Sequence, residues 1–284
     1  MRQRLISAAV LVPVVVILFW LGRPWISLGI ALLAVLVAWE ATQLVKAAGL
    51  PANRWLAMIP ALLLIAWFEL TNSTLTFFYG FAAQATGFVL LGWATIAALD
   101  GFRQRDPQRG FLAMVGTLYA SLYVVLLAFV VGVATFHVGD SSGRGRFWLL
   151  VLVLTVWTLD SAAYVVGRFF PRGYFMNHIS PKKTWSGAIG GTVAAIAVCT
   201  SLLVVFGDGL DAIVGLLLGV VIAVSAQAGD LAESMLKRAA GAKDSGTLIP
   251  GHGGFLDRVD SFMFAAPAMY LTLLALVWAP WNVS

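Results

Sequence analysis

Residues 212–232 read AIVGLLLGVVIAVSAQAGDLA, and the first ionisable side chain in this run is Asp230. About 20 apolar residues are enough for one α-helix to cross the hydrocarbon core of a bilayer. Similar runs recur along the whole chain. The sequence therefore predicts an all-α, polytopic integral membrane protein.

The composition excludes a soluble globular protein. Of the 284 residues, 61% are hydrophobic and only 11% are charged, and the mean hydropathy is +0.92. Soluble domains carry about 25% charged residues, and a soluble fold this apolar would expose large patches that aggregate.

The net charge of +5 does not indicate a nucleic-acid partner, because the chain has no soluble basic segment to bind one. The sole cysteine, Cys199, leaves no intrachain disulfide.

Nine candidate spans follow from the apolar runs and from the Gly, Pro and charged residues that separate them. The first is interpreted as a retained helix rather than a cleaved signal, because its apolar segment is long and no small-x-small site follows. The predicted limits are 5–22, 26–45, 55–71, 75–99, 111–136, 147–168, 187–206, 211–232 and 260–280.

The distribution of Lys and Arg predicts the orientation. With the N-terminus inside, all of the 18 Lys and Arg except Arg23, Arg144 and Arg146 fall on the cytoplasmic side. This is the bias that the positive-inside rule describes. We interpret residues 1–284 as one membrane-embedded domain. Within it, 1–146 is mainly helical scaffold, and 147–284 carries the catalytic helices and cytoplasmic loops.

The richest polar stretch follows the eighth span. Asp230, Ser234 and Lys237 share one stripe of a helix, and Asp257 and Asp260 share a face of the next. Carboxylates among Lys and Arg suit a hard divalent ion together with phosphate oxygens, and Gly253-Gly254 lets backbone N–H groups approach a phosphate. A merely solvated basic loop would not explain aspartates at the ends of two apolar helices.

A second polar stretch follows the sixth span. Asp160, Tyr164 and Arg168 recur every four residues and predict one polar stripe. The loop continues through Lys182 and Lys183 to Thr184. Alone, this pattern fits helix packing and a headgroup-facing basic loop as well as it fits substrate binding. With the other cluster on the same membrane side, a joint site is the better hypothesis. Glu40 and Glu69 are expected to be structural, reaching the interface or a partner.

Three motifs together resemble the signature of phosphatidate cytidylyltransferases, also called CDP-diacylglycerol synthases. They are S-M-L-K-R at 234–238, K-D-S-G at 243–246 and H-G-G-F-L-D-R-V-D at 252–260. The elements D-x-x-A-Y-x-x-G-R at 160–168 and S-P-x-K-T at 180–184 are also similar to that family, and the likeness covers essentially the whole chain. Ser186 departs from the pattern, since many members carry Glu or Gln there.

The resemblance implies the reaction CTP + phosphatidate → CDP-diacylglycerol + pyrophosphate, in glycerophospholipid biosynthesis at the bacterial inner membrane, with the site facing the cytoplasm. It implies Mg²⁺ held by Asp230 and Asp257, allows a monovalent cation such as K⁺ beside it, and suggests a homodimer among membrane lipids. The expected catalytic residues are Lys237, Arg238, Lys243, Asp244, His252, Arg258 and Asp260. The expected substrate-binding residues are Asp160, Tyr164, Arg168, Lys183, Thr184, Ser234, Gly253 and Gly254.

Two other functions remain open at this stage. A CTP-dependent polyprenol or dolichol kinase would direct attack to the γ-phosphorus instead. A transporter of a phosphorylated metabolite would also have charged inner gates, but it should show inverted repeats or midplane charges, whereas the charge here lies at one end of the spans. The sequence contains neither the D-G-x-x-A-R run of CDP-alcohol phosphotransferases nor a P-loop.

Overall fold

A computed structural model describes residues 2–71, 79–136, 144–207, 212–251 and 253–278. These residues confirm the all-helical prediction. Their helices are α1 (Arg2–Leu21), α2 (Trp25–Ala47), α3 (Arg54–Thr71), α4 (Tyr79–Phe102), α5 (Pro107–Ala134), α6 (Arg144–Phe169), α7 (Trp185–Phe206), α8 (Ala212–Ala239) and α9 (Leu256–Trp278).

Each predicted span overlaps one of these helices, but some ends differ: α8 continues to Ala239, whereas the predicted span ends at 232, and α9 begins at Leu256 rather than at 260. Within the described part, six helices are long and apolar enough to cross a membrane: α2, α5, α6, α7, α8 and α9. The chain is therefore a multi-pass membrane protein. The crossings of α1, α3 and α4, and the side on which the N-terminus lies, stay predictions.

The helices form two compact units. The first comprises Met1–Thr135 and Leu236–Val259, and within it α5 packs against α2, α3 and α4. Helix α5 begins at Pro107 behind the N-cap Asp106, whose side chain accepts a hydrogen bond from Gln108 N. Small residues on α5 allow close approach of neighbours. At Gly132, for example, a Cβ would lie 3.0 Å from the Phe68 ring.

The second unit comprises Phe136–Met235 and Asp260–Ser284. Its α6 and α7 pack closely because glycines on α7 face the backbone of α6. A Cβ at Gly187 would lie 2.7 Å from the Ala163 carbonyl oxygen, and one at Gly191 would lie 2.8 Å from that of Leu159. This close packing fixes the start of α7 against the end of α6, where the second polar stretch lies.

Candidate active site

The loop between α8 and α9 is organised around the Asp257 carboxylate. Lys237 Nζ donates to Asp257 Oδ1 at 2.6 Å. Oδ2 accepts hydrogen bonds from Ser245 N, Ser245 Oγ and Gly254 N, each at 2.9 Å. Both members of the ion pair are largely buried, and charge-assisted hydrogen bonds of this kind are roughly twice as strong as neutral ones. Asp257 therefore joins the last turn of α8, the loop and the start of α9 at one point.

Glu40, on α2, completes this arrangement from a position about 200 residues earlier in the chain. Its side chain is buried, with only 2% exposed. It accepts hydrogen bonds from Phe255 N at 3.1 Å and from Leu256 N at 2.8 Å, and Ser245 Oγ lies 3.2 Å from its Oε2. The first N–H groups of a helix have no partner within the helix, so a carboxylate here caps α9 and favours its dipole. Ser245 Oγ thus lies between the Glu40 and Asp257 carboxylates, and its one proton serves one of them at a time.

A depression of about 500 Å³ opens beside this loop, within the first unit. Two cationic side chains and one carboxylate line it, together with backbone from glycines: Lys243, Asp244, Gly246, Thr247, Ile249, Gly251, Gly253 and Arg258. Gly253 has φ +82°, a conformation that favours glycine. The two cations outnumber the one carboxylate in this depression, and a net positive charge suits a phosphorylated ligand.

The second unit holds another ion pair. Lys183, in the loop before α7, lies 2.7 Å from Asp230 Oδ2 on α8. Asp160 on α6 lies close enough to interact electrostatically with both. Ser234 Oγ reaches Asp230 Oδ1 only at a long 3.4 Å. Lys183 therefore pairs with Asp230, and the Asp160 carboxylate lies near this pair.

The end of α6 and the start of α7 carry the remaining predicted binding residues. Arg168 Nη1 donates to Tyr164 OH at 2.6 Å, one turn earlier on the same helix. Thr184 is the N-cap of α7, and its Oγ1 accepts from Gly187 N at 3.1 Å. Ser186 Oγ donates to Phe170 O at 2.6 Å and accepts from Arg172 N at 3.1 Å. Ser186 therefore holds the loop against α7.

The pattern that defines the cytidylyltransferase family matches residues 2–276. The chain belongs to this family. It is 34% identical over 274 residues to a protein of Brucella suis, covering 95% of this chain and 92% of that one. It is 32% identical over 291 residues to one of Synechocystis, covering 97% of each chain. With one of Haemophilus influenzae it shares 30% identity over 288 residues, covering 94% and 96%. All three relatives are named phosphatidate cytidylyltransferase.

The residues of this cytidylyltransferase fit a divalent cation in one unit better than in the other. Mg²⁺ commonly takes one or two carboxylates and completes its shell with phosphate and water oxygens. Asp230 and Asp160 supply two carboxylates, and Lys183 contacts only Oδ2 of Asp230. Asp257 differs, because a carboxylate has about four acceptor positions and four donor atoms already contact it. In the part of the chain that the structure describes, no three His, Cys, Asp or Glu side chains converge as metal ligands.

Within each unit of the cytidylyltransferase, the structure brings part of the predicted set together. In the first unit Lys237, Gly254 and Asp257 are in direct contact, and Lys243, Asp244, Gly253 and Arg258 line the depression. Arg238 instead donates to Ala242 O, at 3.1 Å, at the end of α8. In the second unit Asp160, Lys183 and Asp230 come together, and Asp260 Oδ1 accepts from Ser261 N. His252 lies outside the described residues.

Sequence reasoning missed two residues of this site: Ser245, which lies in the 243–246 motif but was given no role, and Glu40. Glu40 was expected to reach the interface or a partner, and its position inside an apolar run gave no sign of its contacts with the 245–256 segment. The one usable signal is the cost of burying an ionisable group at membrane depth, which makes such residues functional candidates.

Proposed function

We propose that this cytidylyltransferase transfers the cytidylyl group of CTP to phosphatidate, giving CDP-diacylglycerol and pyrophosphate. The observation that carries the proposal is the convergence of Lys237, Ser245 and Gly254 on Asp257. Lys237, Ser245 and Gly254 come from three separate motifs, at 234–238, 243–246 and 252–260, and one carboxylate holds them together. Similarity over nearly the whole chain to relatives named phosphatidate cytidylyltransferase also supports the proposal.

In the proposed step, a phosphate oxygen of phosphatidate attacks the α-phosphorus of CTP. A new P–O bond forms, the bond from the α-phosphorus to the α–β bridging oxygen breaks, and pyrophosphate leaves with that electron pair. Both reactants are polyanions, so catalysis depends on positioning them and on offsetting their charge.

The first unit supplies cations for this purpose. Lys243 and Arg258 line the depression and are proposed to hold the phosphates of CTP, with Arg238 near the end of α8. Gly253 gives a phosphate access without a side chain in the way. Asp244 is proposed to orient these bases, Asp257 keeps Lys237 in place, and His252 and Asp260 keep their predicted catalytic roles as proposals.

The second unit is proposed to act on the other reactant. Lys183 and Arg168 are cations for the phosphatidate phosphate, and Tyr164 orients Arg168 through its hydroxyl. Thr184 and Ser234 are proposed to support this group, Thr184 by capping α7 and thereby fixing Lys183 beside it.

Mg²⁺ is the proposed cofactor, with Asp230 as a ligand and Asp160 beside it. When bound, the ion offsets negative charge on phosphate oxygens and on departing pyrophosphate. Asp257 remains a predicted ligand, and Lys237 would have to leave Oδ1 for a cation to bind there. A monovalent cation such as K⁺ beside the magnesium is also proposed.

The test is product analysis with purified protein in detergent. CTP, phosphatidate and Mg²⁺ should give pyrophosphate and CDP-diacylglycerol in equal amounts, and EDTA should abolish both. Undecaprenol and dolichol run in parallel should give no product. CDP together with a phosphorylated polyprenol would replace the proposal with a kinase, and the lack of any metal-dependent product would favour transport.

We further propose nine spans with the N-terminus in the cytoplasm of the bacterial inner membrane, the site on the cytoplasmic side, and a homodimer. The support for the orientation is the Lys and Arg distribution. Cysteines placed at Gln104 and at Ser284 should be labelled from opposite sides of inner-membrane vesicles. Labelling from the same side would overturn the odd number of spans. Light scattering of the detergent-purified protein tests the dimer.

A further inference from the structure

The loop that joins α6 to α7, residues 170–184, exposes large apolar side chains. Phe169, at the end of α6, is 70% exposed, and Phe170 and Tyr174 are each 66% exposed. Met176 is 45% exposed. Several exposed apolar side chains on one connecting loop are typical of a surface that contacts a ligand, a membrane or a protein.

This exposure belongs to an ordered loop. Ser186 Oγ contacts the backbone of Phe170 and Arg172. Phe175 N donates to Lys183 O at 2.9 Å, and Trp185 N donates to Gly173 O at 2.9 Å. The Phe175 ring also packs edge-on against Trp185, with centroids 4.5 Å apart. The hydrogen bonds fix the backbone, so the aromatic side chains project outward from a defined frame.

Cationic side chains accompany the apolar ones. Arg168, Arg172 and Lys182 are exposed on the same segment, and Lys183 pairs with Asp230. Aromatic and apolar side chains next to Lys and Arg are typical of protein surfaces that meet phospholipid at the membrane interface. The aromatic rings can contact the glycerol and acyl region of a phospholipid, and the cations can pair with its phosphate.

The depression in the first unit has a different character. Ile249 is the one large apolar residue among those that line it. A nucleotide triphosphate needs cations and backbone donors, whereas a diacyl lipid also needs apolar contact. The two ligand chemistries therefore correspond to different units of the chain.

We propose that the 170–184 loop is the docking surface for the lipid substrate, with Phe170 and Tyr174 against the glycerol and acyl region and Arg172 and Lys182 toward the phosphate. The proposal rests on the function proposed above and assigns phosphatidate, rather than CTP, to this loop. Ser186 has a positioning role in it, because its hydroxyl holds the backbone that carries Phe170.

The first experiment separates the two substrates kinetically. In mixed micelles, the double substitution Phe170→Ser and Tyr174→Ser should raise the KM for phosphatidate, as a mole fraction, by about tenfold, because two aromatic contacts are lost. The KM for CTP should stay within about twofold. The matched control is Phe102→Ser, an exposed phenylalanine at the end of α4 beside a basic loop. It should change neither constant.

The second experiment does not depend on turnover. In a Cys199→Ser background, Tyr174→Cys is labelled with a nitrobenzoxadiazole fluorophore and reconstituted in phosphatidylcholine nanodiscs, with Gln104→Cys as the control position. Phosphatidate in the bilayer should shift the emission of the label at 174 to the blue, and water-soluble glycerol 3-phosphate or CTP should not. The label at 104 should not respond to any of them.

The outcomes separate this proposal from the proposed function. If the unaltered protein forms CDP-diacylglycerol but the double variant keeps its KM for phosphatidate, the docking surface is overturned and the function stands. If the unaltered protein forms no product, the function fails, and the response of the label at 174 decides the docking surface alone. An emission that is the same with and without phosphatidate would mean that the loop merely lies at the interface, and would refute docking.

Discussion

Replacing Glu40 tests whether the loop between α8 and α9 depends on a carboxylate supplied by α2. Glu40→Gln is the informative change, because it preserves the size of a side chain that is almost fully buried. The amide oxygen can still accept a hydrogen bond from one of the two backbone N–H groups, of Phe255 and Leu256, that Glu40 now receives. The amide NH₂ group would then face the other backbone N–H. Both groups are donors, so that N–H would lose its hydrogen bond.

The expected loss in the free energy of unfolding follows from this lost hydrogen bond. A buried donor left without a partner costs about 1–3 kcal/mol, and the loss of negative charge at the start of α9 adds a few tenths to about 1 kcal/mol. A neutral amide is easier to bury than a carboxylate, which acts in the opposite direction. Because two backbone N–H groups at the start of α9 depend on the carboxylate, we expect the lost contacts to dominate. The net loss should be about 1–3 kcal/mol, or a Tm lower by roughly 2–5 °C for a chain of this size.

The assay combines thermal unfolding in detergent at a fixed scan rate with steady-state kinetics. Glu40→Gln should lower kcat more than it raises either KM, because the loop holds Lys237 and Asp257 in place and does not simply bind substrate. Glu69→Gln is the matched control. Glu69 lies in the same unit and pairs with Arg23 and Ser27, so its loss should reduce Tm and leave kcat unchanged.

Two results would refute the reasoning. An unchanged or higher Tm for Glu40→Gln would mean that the hydrogen bonds to the start of α9 contribute nothing net. Equal falls in kcat for Glu40→Gln and Glu69→Gln would mean that both act through general stability and that Glu40 does not position the site.

Three further changes test neighbouring features. Gly254→Ala should lower both Tm and activity, because its Cβ would overlap Ser245 Oγ and the Glu40 carboxylate. The control Gly92→Ala has open space around it and should leave Tm unchanged or raise it slightly. Equal Tm values for the two variants would contradict the crowding at Gly254. Asp257→Asn should abolish turnover and also lower Tm by several degrees, since Lys237 Nζ loses its charged partner in a largely buried position. An active variant with a normal Tm would show that Asp257 is not needed in the site. Lys183→Met should lower product formation more than tenfold. The change in Tm should be small, because the pair with Asp230 is about one-third exposed and such pairs contribute roughly 0–1 kcal/mol to stability. A variant with near-normal kcat and KM for phosphatidate would show that Lys183 does not bind the phosphatidate phosphate.

Local features of the site were readable from the sequence. Tyr164 and Arg168 were expected to share a stripe, and the two side chains are hydrogen-bonded on α6. Asp230 and Ser234 are likewise one turn apart on α8. Helical periodicity is a property of the backbone over a few residues, so spacing alone predicts which side chains share a face.

The partners of those stripes were not readable in the same way. Lys237 shares a predicted stripe with Asp230, yet its ion pair is with Asp257, 20 residues later. Asp230 pairs instead with Lys183. Ser186, whose departure from the family pattern left its role open, proves to hold the backbone of Phe170 and Arg172.

The sequence by itself determined that this chain is a bundle of membrane helices. An apolar run of about 20 residues in lipid must satisfy its backbone hydrogen bonds internally, and a helix does so without any other part of the chain. Only the tertiary structure decided that Glu40 caps α9. That contact joins residues more than 200 positions apart, and no local rule of spacing specifies it, because it exists only where packing brings α2 and the 245–256 segment together.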